Sequence, residues 1–256
     1  PLCAISCAWL LGLWRDREQF PGWIWASAIS GFVITLLMLQ PDIGMTSVVL
    51  LTFGFQLFLA GLPLLLVFTA IGLTPLAGWL AYSHFGHVQQ RVDKFLDGGG
   101  MQTERSIQSF VEGGWFGVGP GDGTVKQYLP DAHADFIFSV AAEEYGLLAC
   151  LLLIGVYSFV VIRGYAQSLN RSDMFTILAV SGLTTQFGVQ AAIHMASSVD
   201  MIPTKGMTLP LISYGGSSLL ASGLTLGLIL ALTRKSLHSA PVFAHQPAQV
   251  LSLIHI

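Results

Sequence analysis

The stretch FIFSVAAEEYGLLACLLLIGVYSFVVI, residues 136–162, decides the fold class of this chain. A helix needs about 20 mostly apolar residues to cross a bilayer, because each residue rises about 1.5 Å through about 30 Å of hydrocarbon. The stretch exceeds that length and contains only two charged side chains, Glu143 and Glu144. We therefore predict a membrane-spanning helix over Phe136–Ile162.

Six other apolar stretches extend this pattern, the first of them only in part, and predict an all-α, polytopic transmembrane helix bundle over residues 1–235. They are Leu2–Trp14, Trp23–Leu39, Met45–Ala60, Leu64–Tyr82, Phe175–Ser197 and Leu209–Thr233. The chain starts inside an apolar run at Pro1 rather than at Met, so we expect residues to be missing before it. We interpret residues 236–256 as a disordered cytoplasmic tail whose last residues, 251–256, are a cloning or sequencing artefact.

Composition agrees with a membrane location. Charged residues make up 10% of the chain and hydrophobic residues 53%, whereas a soluble domain has about 25% charged residues. The net charge of −3 gives no reason to expect nucleic-acid binding. Cys3, Cys7 and Cys150 all lie in apolar stretches, and nothing completes a metal-binding set, so we predict no metal, no cofactor and no disulfide.

The loops between the predicted helices alternate between two sides of the membrane. One side collects six basic residues, and the positive-inside rule makes it cytoplasmic; they are Arg15, Arg17, Arg163, Arg171, Arg234 and Lys235. The other side has the long loop 83–134, which we interpret as an ordered cap over the outer mouth of the bundle. Trp115 and Phe116 are suited to anchor this cap at the level of the lipid headgroups.

Asp135 is the sharpest candidate for chemistry, because it stands where the polar loop gives way to the apolar helix. A carboxylate that is partly removed from water has a raised pKa and can act as a general base. An Asp at the start of a helix is also a common capping residue, so position alone leaves both interpretations open. Asp131 and His133 lie in the same turn and are either partners of Asp135 or interfacial polar residues.

Other candidates have equally open roles. Glu143 and Glu144 either line a polar cavity or form a structural pair with a group elsewhere. Arg91 and Lys205, together with Lys94 and Lys126, either hold a pyrophosphate or contact lipid headgroups. The glycine-dense run 113–121 predicts a turn-rich loop whose backbone can approach another group closely, and the small residues 213–218 predict tight packing at the start of the last helix.

Four motifs in order carry a family resemblance. They are Gln40-Pro-Asp-Ile-Gly44, the glycine-rich residues 113–119, Leu129–Phe138 followed by Ala142-Glu-Glu-Tyr-Gly146, and Pro203-Thr-Lys-Gly-Met-Thr-Leu-Pro-Leu-Ile-Ser-Tyr-Gly-Gly-Ser-Ser218. The chain resembles the SEDS family (shape, elongation, division and sporulation) from Pro1 to about Lys235. The resemblance implies ten helices, of which this chain has the last seven.

The same resemblance implies an inverting peptidoglycan glycosyltransferase in the bacterial inner membrane. Its substrates are lipid II and the undecaprenyl-linked glycan, it releases undecaprenyl pyrophosphate, and its partner is a class B penicillin-binding protein transpeptidase. Asp135 matches the essential aspartate of the family and becomes the expected base. Arg91 and Lys205 are the expected pyrophosphate contacts, and His133, Glu143 and Ser213 are the other expected substrate contacts.

The chain departs from the family pattern at two positions, and two other functions stay open besides the glycosyltransferase. Ala134 stands where the family usually has Thr, and His194 where it usually has Asn. The spelling of residues 119–121 and 131–133 is similar to the division branch, which implies a septal location with other division proteins. A lipid II flippase and a non-catalytic scaffold for a penicillin-binding protein are the alternatives, although a transporter should place its ionisable groups nearer the midplane.

Overall fold

The structure is a computed structural model that describes residues 1–16, 20–61, 78–80, 82–96, 100–203 and 206–234, with isolated positions between 62 and 77. The predicted span Leu64–Tyr82 lies almost wholly outside the described residues, and the predicted tail 236–256 lies outside them entirely. No strand occurs in the described part of the chain, so the prediction of an all-α fold is confirmed.

The described helices follow one another in the predicted order. They are α1 (Leu2–Asp16), α2 (Gly22–Leu39), α3 (Ile43–Leu59), α4 (Gly86–Leu96), α5 (Gly100–Gly113), a 3-10 helix (Val125–Tyr128), α6 (Ala132–Asp135), α7 (Ile137–Leu169), α8 (Met174–Ser198) and α9 (Gly216–Thr233). Four of them, α2, α7, α8 and α9, are long and apolar enough to cross a membrane, and α3 is apolar but shorter.

Helix α8 is the centre of the bundle. Leu178, Ala179, Val180 and Leu183 are fully buried there, against residues of α1 and α9. The buried Gln56 side chain of α3 donates hydrogen bonds to the Ala4 carbonyl at 2.8 Å and to the Leu178 carbonyl at 3.1 Å. One amide group therefore ties α1, α3 and α8 together within an apolar core.

The two ends of the bundle differ as the loop pattern predicts. At the first, the arginine end, Arg171 donates a hydrogen bond to the Thr233 carbonyl, and Arg15 approaches Gly61. At the second, the Asp135 end, the first turn of α3 meets the segment before α9, where the Met207 side chain packs on Gly44. That the arginine end faces the cytoplasm stays a prediction.

The predicted last span is too long at its start. Helix α9 begins at Gly216 instead of Leu209, and residues 206–215 are irregular. Pro210 lacks a backbone N–H for helix hydrogen bonding, and the Ser213 hydroxyl accepts the Leu209 N–H at 2.7 Å. This segment is therefore an irregular turn at the Asp135 end, in which Met207 and Leu209 are buried while Leu211 and Ile212 are exposed.

The predicted cap is ordered where the structure describes it. Helix α4 contains the amphipathic piece predicted over Val88–Leu96, and α5 extends the piece predicted over Ser106–Val111. Helix α5 packs on the first part of α7 through small buried side chains: the Ser106 hydroxyl lies 2.6 Å from the Ser139 hydroxyl and 2.6 Å from the Ser198 carbonyl. The cap is thus joined to both α7 and α8.

Helix α7 contains a break that the sequence analysis did not foresee. Gly146 has a φ of +77° and a ψ of −177°, which interrupts the helix. Before the break, Phe138, Val140 and Ala142 are buried under the cap, whereas Leu148 and Leu152 beyond it are exposed. Residues 147–169 alone rise about 35 Å, enough to cross the hydrocarbon layer.

A glycine-rich strap, residues 113–119, fills the break. The N–H groups of Leu147 and Leu148 donate to the carbonyls of Gly114 (2.9 Å) and Trp115 (3.3 Å). In return, the N–H groups of Val118 and Gly119 donate to the carbonyls of Glu143 (2.9 Å) and Glu144 (3.1 Å). The backbone groups freed by the break are therefore paired by the strap, as a membrane protein requires.

Candidate active site

Asp135 ends the one-turn helix α6, whose position is set by a left-handed residue, Asp131, with a φ of +52°. The Asp135 side chain is half-buried, and no described residue makes a hydrogen bond or ion pair with its carboxylate. Loss of water by burial, together with the negative charge of Asp131, raises the pKa of Asp135 above its ordinary value.

The geometry speaks against the capping interpretation of Asp135. Helix α7 starts after Phe136, and no side chain makes a capping hydrogen bond there. A carboxylate that neither caps a helix nor pairs with a described cation is available to take a proton from another molecule. This is the arrangement that a general base needs.

The backbone of residues 206–208, which we call the wall, starts beside this carboxylate. Gly206 has a φ of +58°, and a Cβ atom added there would lie 3.0 Å from Oδ2 of Asp135. Gly206, Met207 and Thr208 also border a cavity of about 330 Å³ that Gln190 and Ser218 line from α8 and α9. Gly206 therefore borders both the carboxylate and this cavity, a role that sequence analysis did not give it.

Ser213 has a structural position, which corrects its expected role in substrate binding. Its hydroxyl is buried, donates to the Ala134 carbonyl at 2.6 Å and accepts the Leu209 N–H at 2.7 Å. The Tyr214 N–H also donates to the His133 carbonyl at 2.9 Å. Ser213 therefore fixes the segment before α9 against the Asp135 turn, while the exposed side chain of His133 stays accessible.

Glu143 is likewise unavailable to a substrate. The side chain is 0% exposed, and its two oxygens accept the backbone N–H groups of Val125 (2.7 Å) and Lys126 (3.0 Å). Of the two interpretations offered for this residue, the structure supports the structural one. Glu144 pairs with the Lys126 ammonium group, which also donates to the Gly121 carbonyl at 2.9 Å. Both glutamates hold the cap in place.

The remaining predicted contacts cannot be placed at the site. Arg91 belongs to α4, but its side chain is outside the described residues, as is Lys205. Within the described ranges, no group of three His, Cys, Asp or Glu side chains could hold a metal ion. The absence of a metal-binding set from the chain stays a prediction.

Replacing Glu143 by Ala should detach the 3-10 helix from α7. The change leaves two inward-facing N–H groups without an acceptor, and each such group costs about 1–3 kcal/mol. We expect faster proteolysis of the cap and a lower apparent unfolding temperature in detergent. Glu144→Gln is the matched control, because it alters only a partly exposed ion pair. Equal behaviour of the two variants would contradict the role given to Glu143.

The molecule is thus an all-helical, multi-pass membrane protein with an ordered cap and, directly after the cap in the chain, a carboxylate that has no partner among the described residues. Residues 2–238 match the profile of a family described as "Cell cycle protein", the FtsW, RodA and SpoVE family. The chain belongs to this family, which confirms the resemblance noted in the sequence.

Individual relatives agree with the family assignment. The chain is 44% identical, over 92% of its own length and 61% of the relative's, to a "probable peptidoglycan glycosyltransferase FtsW" of Caulobacter vibrioides. A Saccharophagus degradans protein of the same name is 36% identical over 86% of this chain and 59% of its own. The chain thus spans about 60% of the length of these relatives.

A solved structure has the same fold. It belongs to a study of how a peptidoglycan synthase complex coordinates polymerization and crosslinking, and it superposes with a TM-score of 0.71 at 31% identity. The match covers 91% of this chain and 67% of that one.

Proposed function

We propose that the protein polymerises lipid II into peptidoglycan strands on the outer face of a bacterial inner membrane. The observation that carries the proposal is the half-buried Asp135 carboxylate, which has no partner among the described residues and lies at the end opposite the arginines. The names of the relatives, at up to 44% identity among those compared, support the same reaction.

In the proposed step, Asp135 takes the proton of the acceptor sugar's 4-hydroxyl group. The oxygen then forms a bond to the anomeric carbon of the donor, while the bond from that carbon to the pyrophosphate oxygen breaks. Undecaprenyl pyrophosphate leaves with the electron pair, and a single displacement inverts an α-linked sugar into a β-1,4 linkage. Arg91 and Lys205 are proposed to stabilise the pyrophosphate charge.

The proposed setting is the division septum. There the protein would work with a class B penicillin-binding protein transpeptidase, which crosslinks the new strands, and with other division proteins. Support comes from the relatives named FtsW and from the structural similarity to a component of a peptidoglycan synthase complex. Localisation of the tagged full-length protein at midcell, rather than along the side wall, tests this assignment.

The reaction itself is tested with purified full-length protein in lipid vesicles that contain lipid II. The wild type should form glycan polymer, and Asp135→Ala should form none while it still binds its partner. Lipid II movement across the membrane without polymer would indicate a flippase instead. Partner binding with neither activity would indicate a scaffold.

The pH dependence of polymerisation offers a further prediction. Since the base must be ionised, the rate should fall as the pH drops through the pKa of Asp135, at a higher pH than for an exposed aspartate. Asp131→Asn removes a negative neighbour, lowers the pKa of Asp135 and should move this acid limb to lower pH. An acid limb that does not respond to Asp131→Asn would count against Asp135 as the titrating group.

A further inference from the structure

His194 is a buried polar residue that the proposed reaction does not use. It lies near the end of α8, is 0% exposed, and its Nδ1 atom is 2.6 Å from the Met207 carbonyl oxygen. A carbonyl can only accept, so Nδ1 carries the proton and donates it. Among the described residues, the buried Nε2 atom has no hydrogen-bond partner, so the bond to Met207 is the one polar contact that the ring makes with them.

Met207 is the middle residue of the wall beside Asp135. On one side its carbonyl is bound by His194, and on the other its side chain packs against Gly44, where an added Cβ would overlap the Met207 sulfur atom. The residue is 6% exposed. Its position is therefore fixed from α8 and from the first turn of α3 at the same time.

Gly206 transmits that position to the carboxylate, because it is joined to Met207 by one peptide bond and lies next to Asp135. Its left-handed φ of +58° lets the backbone approach where a Cβ would stand 3.0 Å from Oδ2. A shift of Met207 would move Gly206 and open the carboxylate to water.

We propose that His194 is a positioning residue for Asp135, holding the 206–207 backbone against the carboxylate through its bond to the Met207 carbonyl. The inference rests on the proposed function of Asp135 as the base. A displacement of about 1 Å at a reacting group can lower a rate about 100-fold. Loss of a contact outside the reaction centre can therefore lower the rate by a similar factor.

Several charged groups lie around Asp135 and must be considered when the pH dependence of the polymerisation rate is interpreted. Asp131 and His133 lie in its own turn, Asp42 lies at the start of α3, and the Glu144–Lys126 pair belongs to α7 and the cap. Lys205 adjoins Gly206 in sequence and lies outside the described residues. The variants below leave all of these groups unchanged.

The test compares His194→Leu with His194→Asn in the full-length protein, by polymerisation rate against pH. Leucine fills the space but donates no hydrogen bond, so we expect kcat to fall about 10- to 100-fold, KM to change little, and the acid limb to move to lower pH as water reaches Asp135. Asparagine has an amide N–H that can reach the carbonyl, and it should keep the acid limb of the wild type.

Gly44→Ala acts on the same wall without touching His194, and it should shift the acid limb in the same direction. It keeps the inference testable if His194→Leu does not fold. Ser197→Ala, in the same turn of α8, is the control and should leave the limb in place.

An unmoved acid limb in both His194→Leu and Gly44→Ala overturns the inference, as does a loss of rate that only follows the loss of folded protein. Retention of polymerisation by Asp135→Ala would instead overturn the proposed function, so the two failures are distinguishable.

Discussion

Asp135→Asn is expected to lower the rate of glycan polymerisation by about 100- to 10,000-fold, the range that general bases contribute. Asparagine has the size of aspartate but accepts no proton at neutral pH. Because no described residue bonds to the carboxylate, the change breaks no contact seen in the structure. The protein should therefore fold and bind lipid II, and the loss should fall on kcat.

The measurement is the initial rate of polymer formation, with lipid II binding and the apparent unfolding temperature recorded on the same preparations. Asp131→Asn is the matched control, since it removes a carboxylate from the same turn at an exposed position. Near-normal polymerisation by Asp135→Asn would dismiss the base assignment. A loss that came with weakened folding would show a structural role for the carboxylate.

Gly117→Ala is expected to cause a large loss of stability. An added Cβ would overlap the Glu144 carbonyl group, which is backbone and cannot rotate away, and the φ of +79° is unfavourable for alanine. The dihedral costs about 1–2 kcal/mol, and overpacking adds about 1–3 kcal/mol or more. We expect a lower unfolding temperature in detergent and a cap that proteases cut readily.

Gly114→Ala separates the two contributions to this loss. Gly114 also lies in the strap with a positive φ, of +53°, but nothing stands within 4 Å of its added Cβ. It should therefore show the dihedral cost alone. If the two variants unfold at the same temperature, the strap does not pack into the break of α7 as described.

Hydropathy predicted the helices well, because membrane-spanning segments must be apolar throughout. It failed at residues 209–215, where an irregular turn, and not a helix, carries the apolar side chains. It also could not show the break in α7, since Gly146 reads as an ordinary small residue in an apolar helix. Only the partner strap, about 30 residues earlier in sequence, explains its conformation.

The candidate site was predicted in part. The boundary position of Asp135 pointed to it, and the family resemblance favoured it over a helix cap. Glu143 and Ser213 were predicted to contact the substrate because they are polar residues near the site. Their hydrogen-bond partners include backbone groups distant in sequence. The wall residues Gly206 and Met207 and the support from His194 depend on tertiary contacts that no local pattern encodes.

Among the described residues, the hydrogen bonds between the strap and α7 all join main-chain groups, so none of them depends on which side chains the strap carries. The side chains of Trp115 and Phe116 are 62% and 82% exposed and take no part in these hydrogen bonds. We therefore expect substitutions of Trp115 and Phe116 to leave the junction intact, whereas a Cβ atom added at Gly113, Gly117 or Gly146 would overlap backbone atoms. Such substitutions should change how deeply the outer region sits in lipid without altering the main-chain junction that holds it.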